Sequence, residues 1–144
     1  MDDVSKFLER FAAFGHNANA EIYEDLFDPD EGTVLHPGMI EPLHRNGVRE
    51  YMTRYLETIP DFGFRVLHSA ESDGTVFVEA QNSGTIGGEK LSWNTVYCVT
   101  LRGSRVLRGR AYADRIPILG RLFPDMTLGD AAAMSTVAPG LQDD

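Results

Sequence analysis

The sequence predicts an α+β domain in which three amino-terminal helices pack on a strongly curved, mostly antiparallel sheet. Up to about residue 58, apolar side chains recur at helical spacing, and from about residue 62 they alternate with polar or smaller residues, as in strands. Two turn signals, Asp73-Gly74 and Gly103-Ser104, then divide the second half into antiparallel strands. We expect such a sheet to form a cone around the helices, with a cavity at its open end.

Helical spacing marks three segments in the first 58 residues. The first helix is expected over residues 4–14 and is ended by Gly15, because its apolar residues fall on one face. The second helix is expected over residues 19–27. The third is expected over about residues 47–58, with Asn46 as its cap.

A short strand and four long strands complete the expected domain. The short strand covers residues 33–36 and ends at Pro37-Gly38. The long strands form a meander over residues 62–70, 75–83, 91–101 and 105–115. Residues 84–89 are expected to form a loop, because Gly87 and Gly88 lie there.

We assign residues 1–123 to a single domain and residues 124–144 to a carboxy-terminal tail. Residues 116–123 are too apolar for a free end. They are therefore expected to pack over the sheet, the mouth of the pocket or a partner subunit, and the tail after them could cover the same places.

Composition excludes several classes of function. The chain has 144 residues and a net charge of −9, with no cluster of basic residues interleaved with aromatics, so we expect no nucleic-acid partner. No apolar run is long enough to span a bilayer, so no membrane contact is expected. The lone Cys98 and the acidic amino terminus favour the cytoplasm.

The second hairpin predicts a shared functional surface. A two-residue loop with glycine first suits a type II′ turn at Gly103-Ser104. Alternation then places six side chains on one side of the sheet. The expected facing pairs are Trp93 with Asp114, Thr95 with Tyr112, and Tyr97 with Arg110.

The aromatic members of this set have two interpretations. The hydroxyls of Tyr112 and Tyr97 could donate hydrogen bonds to a developing oxyanion, or both could be core aromatics with satisfied hydroxyls. Trp93 is expected to be a wall of the pocket. The inward-facing Tyr23 and Tyr55 of the second and third helices are expected to contact the substrate.

The histidines also leave alternatives open. His36 lies where the short strand meets its turn, so a neutral imidazole there could serve as a base or a donor, or simply face solvent. A two-residue turn at Asp73-Gly74 places His68 opposite Glu79, as a proton shuttle or a surface contact. Histidine spacing does not match a metal site.

Charged and sulfur side chains complete the candidates. Arg110 and Arg108 could bind an acidic substrate, or they could be edge charges that discourage aggregation. Cys98 lies in an apolar run, as a small buried residue or as a nucleophile.

The order of these elements, together with four short motifs, resembles a known superfamily. The motifs are Glu21 to Phe27 with the acidic turn at 28–30, Arg45-Asn-Gly-Val-Arg-Glu-Tyr51, Ser72-Asp-Gly-Thr-Val76, and Arg110-Ala-Tyr-Ala-Asp114. Over residues 4–120 the chain resembles the nuclear-transport-factor-2-like superfamily, and within it the SnoaL-like polyketide cyclases. This fold hosts enzymes of several classes and non-enzymatic domains.

The resemblance implies a catalytic role for Asp114. In the SnoaL-like cyclases the last-strand aspartate is the acid/base of a cofactor-free aldol closure, and Asp114 holds that position. Its carboxyl group would be desolvated within the cone, and the alternative is an exposed aspartate paired with Arg110 or Arg115. The Arg-x-Asp pair of related epoxide hydrolases is replaced by Glu79-Ala-Gln81, which argues against that reaction.

Three functions are compatible with the sequence. The first is cofactor-free acid/base catalysis, of cyclase or isomerase type, on a small hydrophobic or polyketide-like molecule, with Asp114, His36 and Tyr112 as catalytic residues. The second is non-catalytic binding of a small hydrophobic ligand. The third is protein interaction through the outer sheet face, where a homodimer is expected to pack through Ala111, Ala113, Val96 and Cys98. No cofactor or metal is expected.

Overall fold

A computed structural model describes residues 1–127 and 129–130 and confirms the predicted α+β class. The helices are α1 (Asp3–His16), α2 (Ala20–Asp25), α3 (Arg45–Thr58) and α4 (Ile116–Leu122). The strands are β1 (Thr33–Leu35), β2 (Leu43–His44), β3 (Gly63–Ser72), β4 (Thr75–Ile86), β5 (Glu89–Arg102) and β6 (Arg105–Ala113). Most of the predicted tail, namely residue 128 and residues 131–144, lies outside the described residues.

The six strands form one open sheet in the order β2-β1-β6-β5-β4-β3. Strand β1 runs parallel to β6, and every other neighbouring pair is antiparallel. Burial alternates along β4, because one face of the sheet packs under the helices and the other is open. We call these the inner and outer faces. No helix in the described part of the chain is long and apolar enough to cross a membrane.

Helix α1 buries the apolar stripe that the sequence predicts. The Asp2 carboxylate accepts a hydrogen bond from the Ser5 N–H and so caps the helix. Phe7, Phe11 and Phe14 are buried, and the helix packs on β3. The aromatic rings of α1 therefore form one end of the core.

Gly15 lies in the last turn of α1 instead of ending the helix. A Cβ atom at this position would lie 2.5 Å from the Phe64 carbonyl oxygen and 2.8 Å from the Phe64 ring. Glycine is therefore required because α1 touches the backbone of β3 there.

Two predicted boundaries were wrong. Strand β4 continues through Gly84 to Ile86, so only Gly87 and Gly88 remain as the turn before β5. The missing side chain of Gly84 leaves room for the side chain of Ile59, which explains a glycine inside a buried strand. Helix α3 begins at Arg45, with His44 rather than Asn46 as the N-cap residue.

The predicted register is found near the turn of the β3–β4 hairpin but not along the β5–β6 hairpin. At the first, the left-handed Asp73 and Gly74 form the turn and His68 pairs with Glu79, as predicted. The histidine and carboxylate are 3.9 Å apart and largely exposed, so the pair is a surface contact.

At the second hairpin the predicted register is wrong beyond the turn. Arg102 pairs with Arg105 as expected, but the ladder shifts by one residue between Thr100 and Leu101. An irregularity of this kind places an extra residue on one strand and changes which side chains face inward. Thr95 consequently pairs with Ala113 instead of Tyr112.

The contact between α1 and β3 gives a stability prediction. Replacing Gly15 by alanine should lower the free energy of unfolding by roughly 1–3 kcal/mol, since the added methyl group meets backbone atoms. Gly120→Ala is the matched control in a helix, because nothing lies within 4 Å of its added Cβ and helix propensity favours alanine by up to about 1 kcal/mol. Urea unfolding measures both, and equal effects of the two substitutions would contradict the close contact.

Candidate functional site

A cavity of about 280 Å³ lies between the helices and the inner face of the sheet. Side chains of β4 and β5 form its floor on the sheet, and side chains of α3 line it on the helical side. Ile118 and Leu122 of α4 close one side, so the apolar segment after β6 packs over the pocket, one of the places predicted for it. We refer to this space as the cavity.

Five of the eight residues predicted from sequence line the cavity. They are Tyr23, His36, Tyr55, Trp93 and Tyr97. They come from α2, the end of β1, α3 and β5, so they are separated in sequence and brought together by the packing of helices on the sheet. Trp93, the chain's single tryptophan, is only 5% exposed.

The other three predicted residues lie outside the cavity, which corrects the surface expected from the hairpin. Tyr112 is 59% exposed, and Asp114 and Arg110 are exposed too. The shifted register explains this: Tyr112 and Arg110 pair with Val96 and Cys98 and share their outward direction.

Asp114 forms hydrogen bonds with nearby backbone groups and does not line the cavity. Its carboxylate accepts a hydrogen bond from the Ile116 N–H at 3.1 Å, and its own N–H donates to the Asn94 carbonyl. The next residue, Arg115, does line the cavity. The sequence suggested Arg115 only as an ion-pair partner of Asp114, because the predicted register directed Asp114, and not Arg115, into the cavity.

His36 forms the most distinctive polar contact of the cavity. Its Nε2 atom lies 2.6 Å from the Tyr23 hydroxyl, and the Tyr51 ring stacks on the imidazole with centroids 4.2 Å apart. The phenol donates to an unprotonated Nε2, or Nε2–H donates to the phenol oxygen in the other tautomer. In both cases Nδ1 has no hydrogen-bond partner among the described residues.

Burial sets the protonation of these groups. Loss of solvent lowers the pKa of His36 to about 4, so the imidazole is neutral near pH 7. Burial raises the pKa of Tyr51 to about 12 and raises the pKa of Tyr23, Tyr55 and Tyr97 further. The phenols therefore keep their protons and can act as hydrogen-bond donors.

Asn82 and Thr95 form a polar pair that the sequence analysis missed. Asn82 is 3% exposed, and its Nδ2 donates to the Thr95 hydroxyl at 2.5 Å. The Asn82 Oδ1 atom has no hydrogen-bond partner in the described part of the chain. The alternation of β4 could have revealed this residue, because Val78 and Ala80 are buried on the same face.

No aspartate or glutamate lines the cavity within residues 1–127 and 129–130. The ionisable side chains there are four tyrosines, His36 and Arg115. The described residues also contain no group of three side chains suited to hold a metal ion. Of the lining groups that the structure describes, only the neutral imidazole of His36 offers an unprotonated nitrogen as a base near neutral pH.

Comparison with known proteins places this architecture in a family. Residues 4–109 match the family model of the SnoaL-like domain. The chain belongs to the SnoaL-like family. This confirms the resemblance on which the sequence analysis relied. Among curated proteins, none matches this SnoaL-like sequence significantly.

Solved structures share the fold of this SnoaL-like protein. IdmH of Streptomyces antibioticus, a candidate polyketide cyclase, aligns with a TM-score of 0.69 at 16% identity, over 82% of this chain and 96% of IdmH. A candidate polyketide cyclase of Bacillus cereus ATCC 10987 gives 0.70 at 12% identity, over 83% and 80%. A Catenulispora acidiphila protein with a ketosteroid isomerase-like fold gives 0.66 at 16%, over 93% and 95%.

The burial of His36 predicts a pH dependence of stability. The native state disfavours the imidazolium, so unfolding takes up a proton below the usual pKa of 6.5. Titration of His36 therefore leaves the free energy of unfolding unchanged above pH 6.5. Below pH 6.5 it lowers that free energy as the pH decreases, by on the order of 3 kcal/mol at pH 4. Urea unfolding at pH 7.5 and pH 4 should show a smaller loss for His36→Gln than for the wild type.

The exposed His68 provides the control for this measurement. His68→Gln should keep the wild-type dependence on pH. If His36→Gln and the wild type lose the same stability between the two pH values, His36 is not held neutral by burial.

Proposed function

We propose that this SnoaL-like protein binds a small, largely apolar molecule in the cavity and transfers a proton on it without a cofactor, in a reaction of cyclase or isomerase type. The observation that supports this most is the buried, neutral His36, held by Tyr23 in an otherwise mostly apolar space. IdmH, which shares the fold, is itself a candidate polyketide cyclase.

The basicity of His36 is compatible with this role. Its pKa of about 4 leaves it unprotonated at neutral pH. The aspartate base of ketosteroid isomerase has a comparable pKa of about 4.6 and removes a proton next to a carbonyl group. A weak base is sufficient where hydrogen-bond donors stabilise the enolate that forms.

The surrounding side chains have distinct roles in this proposal. When Nε2–H donates to the Tyr23 oxygen, Nδ1 is free to accept a proton from the substrate. Tyr23 and the stacked Tyr51 are positioning residues that hold the imidazole plane. Tyr55 and Tyr97 keep their protons and can donate to a developing oxyanion, while Trp93 is a wall.

Asp114, Tyr112 and Arg110 have no part in the proposed chemistry. Their side chains are exposed outside the cavity, and a proton-transfer group must come within hydrogen-bond reach of the substrate. His36 takes the role of proton acceptor that the sequence analysis gave first to Asp114.

Proton exchange on an enolisable ketone tests the proposal. In D₂O, the wild type should accelerate exchange of the acidic α-protons of 2-tetralone, a two-ring ketone, as followed by ¹H NMR. His36→Gln should slow the catalysed exchange about 100-fold, the scale typical of losing a general base. The wild-type rate should rise through pH 4 and then stay level to pH 8, because His36 loses its proton near pH 4.

Asp114→Asn and His68→Gln are the matched controls, since both side chains are exposed outside the cavity. Both should keep the wild-type rate. A rate that is insensitive to His36→Gln, or a large loss in Asp114→Asn, would contradict the assignment of His36 as the base.

Non-catalytic ligand binding is the second candidate function. It is favoured by the lining of the cavity, which contains no carboxylate within the residues that the structure describes. Quenching of Trp93 fluorescence by a ligand, together with no acceleration of proton exchange at any pH, would favour a binding protein over an enzyme.

The homodimer through the sheet and the cytoplasmic location stay predictions. Ala111 and Ala113 line the cavity and so cannot form the outer surface that was expected to contain them. The outer face instead exposes Phe77, Val96 and Tyr112. A single free cysteine fits a reducing compartment.

A further inference from the structure

Two polar groups of the cavity remain without a role in the proposed proton transfer. One is the buried amide of Asn82 on the sheet, and the other is the guanidinium group of Arg115 beyond the end of β6. Both lie in a space lined mainly by apolar and aromatic side chains. The buried Asn82 amide costs free energy without a partner, and the partly buried Arg115 is a cation with no acidic partner among the described residues, so each indicates a group that the ligand supplies.

The amide of Asn82 is ready to accept a hydrogen bond. Its Nδ2 is occupied by the Thr95 hydroxyl, which fixes the amide plane, while Oδ1 is buried and has no partner among the described residues. The amide and the Thr95 hydroxyl both lie close enough to the Tyr97 phenol to lower its pKa against the effect of burial. The cavity therefore has a polar site on its floor for a hydroxyl or N–H donor.

Arg115 is a cation that the described residues leave without a carboxylate. Six other arginines of the chain lie within 4 Å of an aspartate or glutamate oxygen, whereas no such contact involves Arg115 in residues 1–127 and 129–130. Its guanidinium lies over Gly38, 2.8 Å from where a Cβ would be. It is also near enough to Tyr51 and Tyr55 to lower the pKa of both phenols against burial.

The two groups are separated across the sheet. Asn82 is on β4 and pairs with Trp93 of β5. Arg115 comes directly after Asp114, whose N–H donates to the Asn94 carbonyl of β5 on the other side of that strand. Two strand spacings, about 10 Å, therefore separate their backbones. A ligand that meets both must carry polar groups at opposite ends of an apolar body.

We infer that the cavity takes an apolar ring system with a hydroxyl or N–H donor at one end, bound by Asn82, and an anionic group at the other, bound by Arg115. This inference rests on the proposed role of the cavity as the ligand site. The donor satisfies Oδ1, and a carboxylate or ionised enol pairs with the guanidinium. Apolar contacts with the ring system come from Trp93 and the tyrosines.

Binding of three two-ring probes tests the inference by isothermal titration calorimetry. The probes are 6-hydroxy-2-naphthoic acid, its methoxy analogue without the donor, and its methyl ester without the negative charge. For the wild type, the hydroxy acid should bind about tenfold more tightly than either analogue, as expected for one well-formed hydrogen bond or ion pair. Equal affinities for the three probes, or binding of none, would overturn the inference without any variant.

Two variants assign each preference to its residue. In Asn82→Leu the preference for hydroxyl over methoxy should disappear while the preference for the carboxylate remains, and Arg115→Met should show the reverse. The matched controls Asn94→Leu and Arg108→Met alter exposed side chains of the neighbouring strands β5 and β6 and should keep both preferences. Preferences that survive in Asn82→Leu and Arg115→Met would assign the binding elsewhere.

Binding of the probes tests the ligand class, and proton exchange tests the proposed function, so the two experiments can fail separately. If the wild type binds the three probes equally but proton exchange still depends on His36, only the ligand class is overturned. Clear probe preferences without any exchange would overturn only the proton transfer.

Discussion

The one-residue shift in the β5–β6 ladder between Thr100 and Leu101 is the constraint on which the cavity depends. Because side chains alternate between faces, this shift turns Ala111 and Ala113 inward and Tyr112 outward. Two methyl groups leave volume under the helices that a phenol ring would fill. The same shift directs the carboxylate of Asp114 away from the cavity, so one backbone irregularity decides both the space available and the chemistry that lines it.

The helices then determine the electrostatics of that space. Aromatic rings from α2 and α3 exclude water around His36, which keeps the imidazole neutral, and they hold the protons on the surrounding phenols. The result is a weak neutral base beside several hydrogen-bond donors, with the cation Arg115 also among the lining residues. This arrangement suits a substrate that acquires negative charge during reaction, because the phenol donors stabilise that charge while His36 takes the proton.

Sequence periodicity predicted the first three helices, the four-stranded meander and the first hairpin, because local signals specify them, whereas α4, β2 and the pairing of β1 with β6 were not predicted. Asp73-Gly74 adopts the left-handed conformations that a two-residue turn requires, and this fixed the pairing of His68 with Glu79. The ladder shift beyond Gly103 has no comparable signal, since nothing in residue type marks the irregularity. Inward aromatics such as Tyr23 were predictable from helical spacing, whereas the role of Arg115 depended on a register that sequence alone did not determine.

Cross-strand contacts measured by NMR test the register most directly. Asn94 and Asp114 share a ladder hydrogen bond, so the neighbouring Thr95 and Ala113 form the close pair in which α protons approach each other. The shifted register predicts a strong nuclear Overhauser effect between the α protons of Thr95 and Ala113. A strong effect between Thr95 and Tyr112 instead would return Tyr112 and Asp114 to the inner face and contradict the assignment of the site.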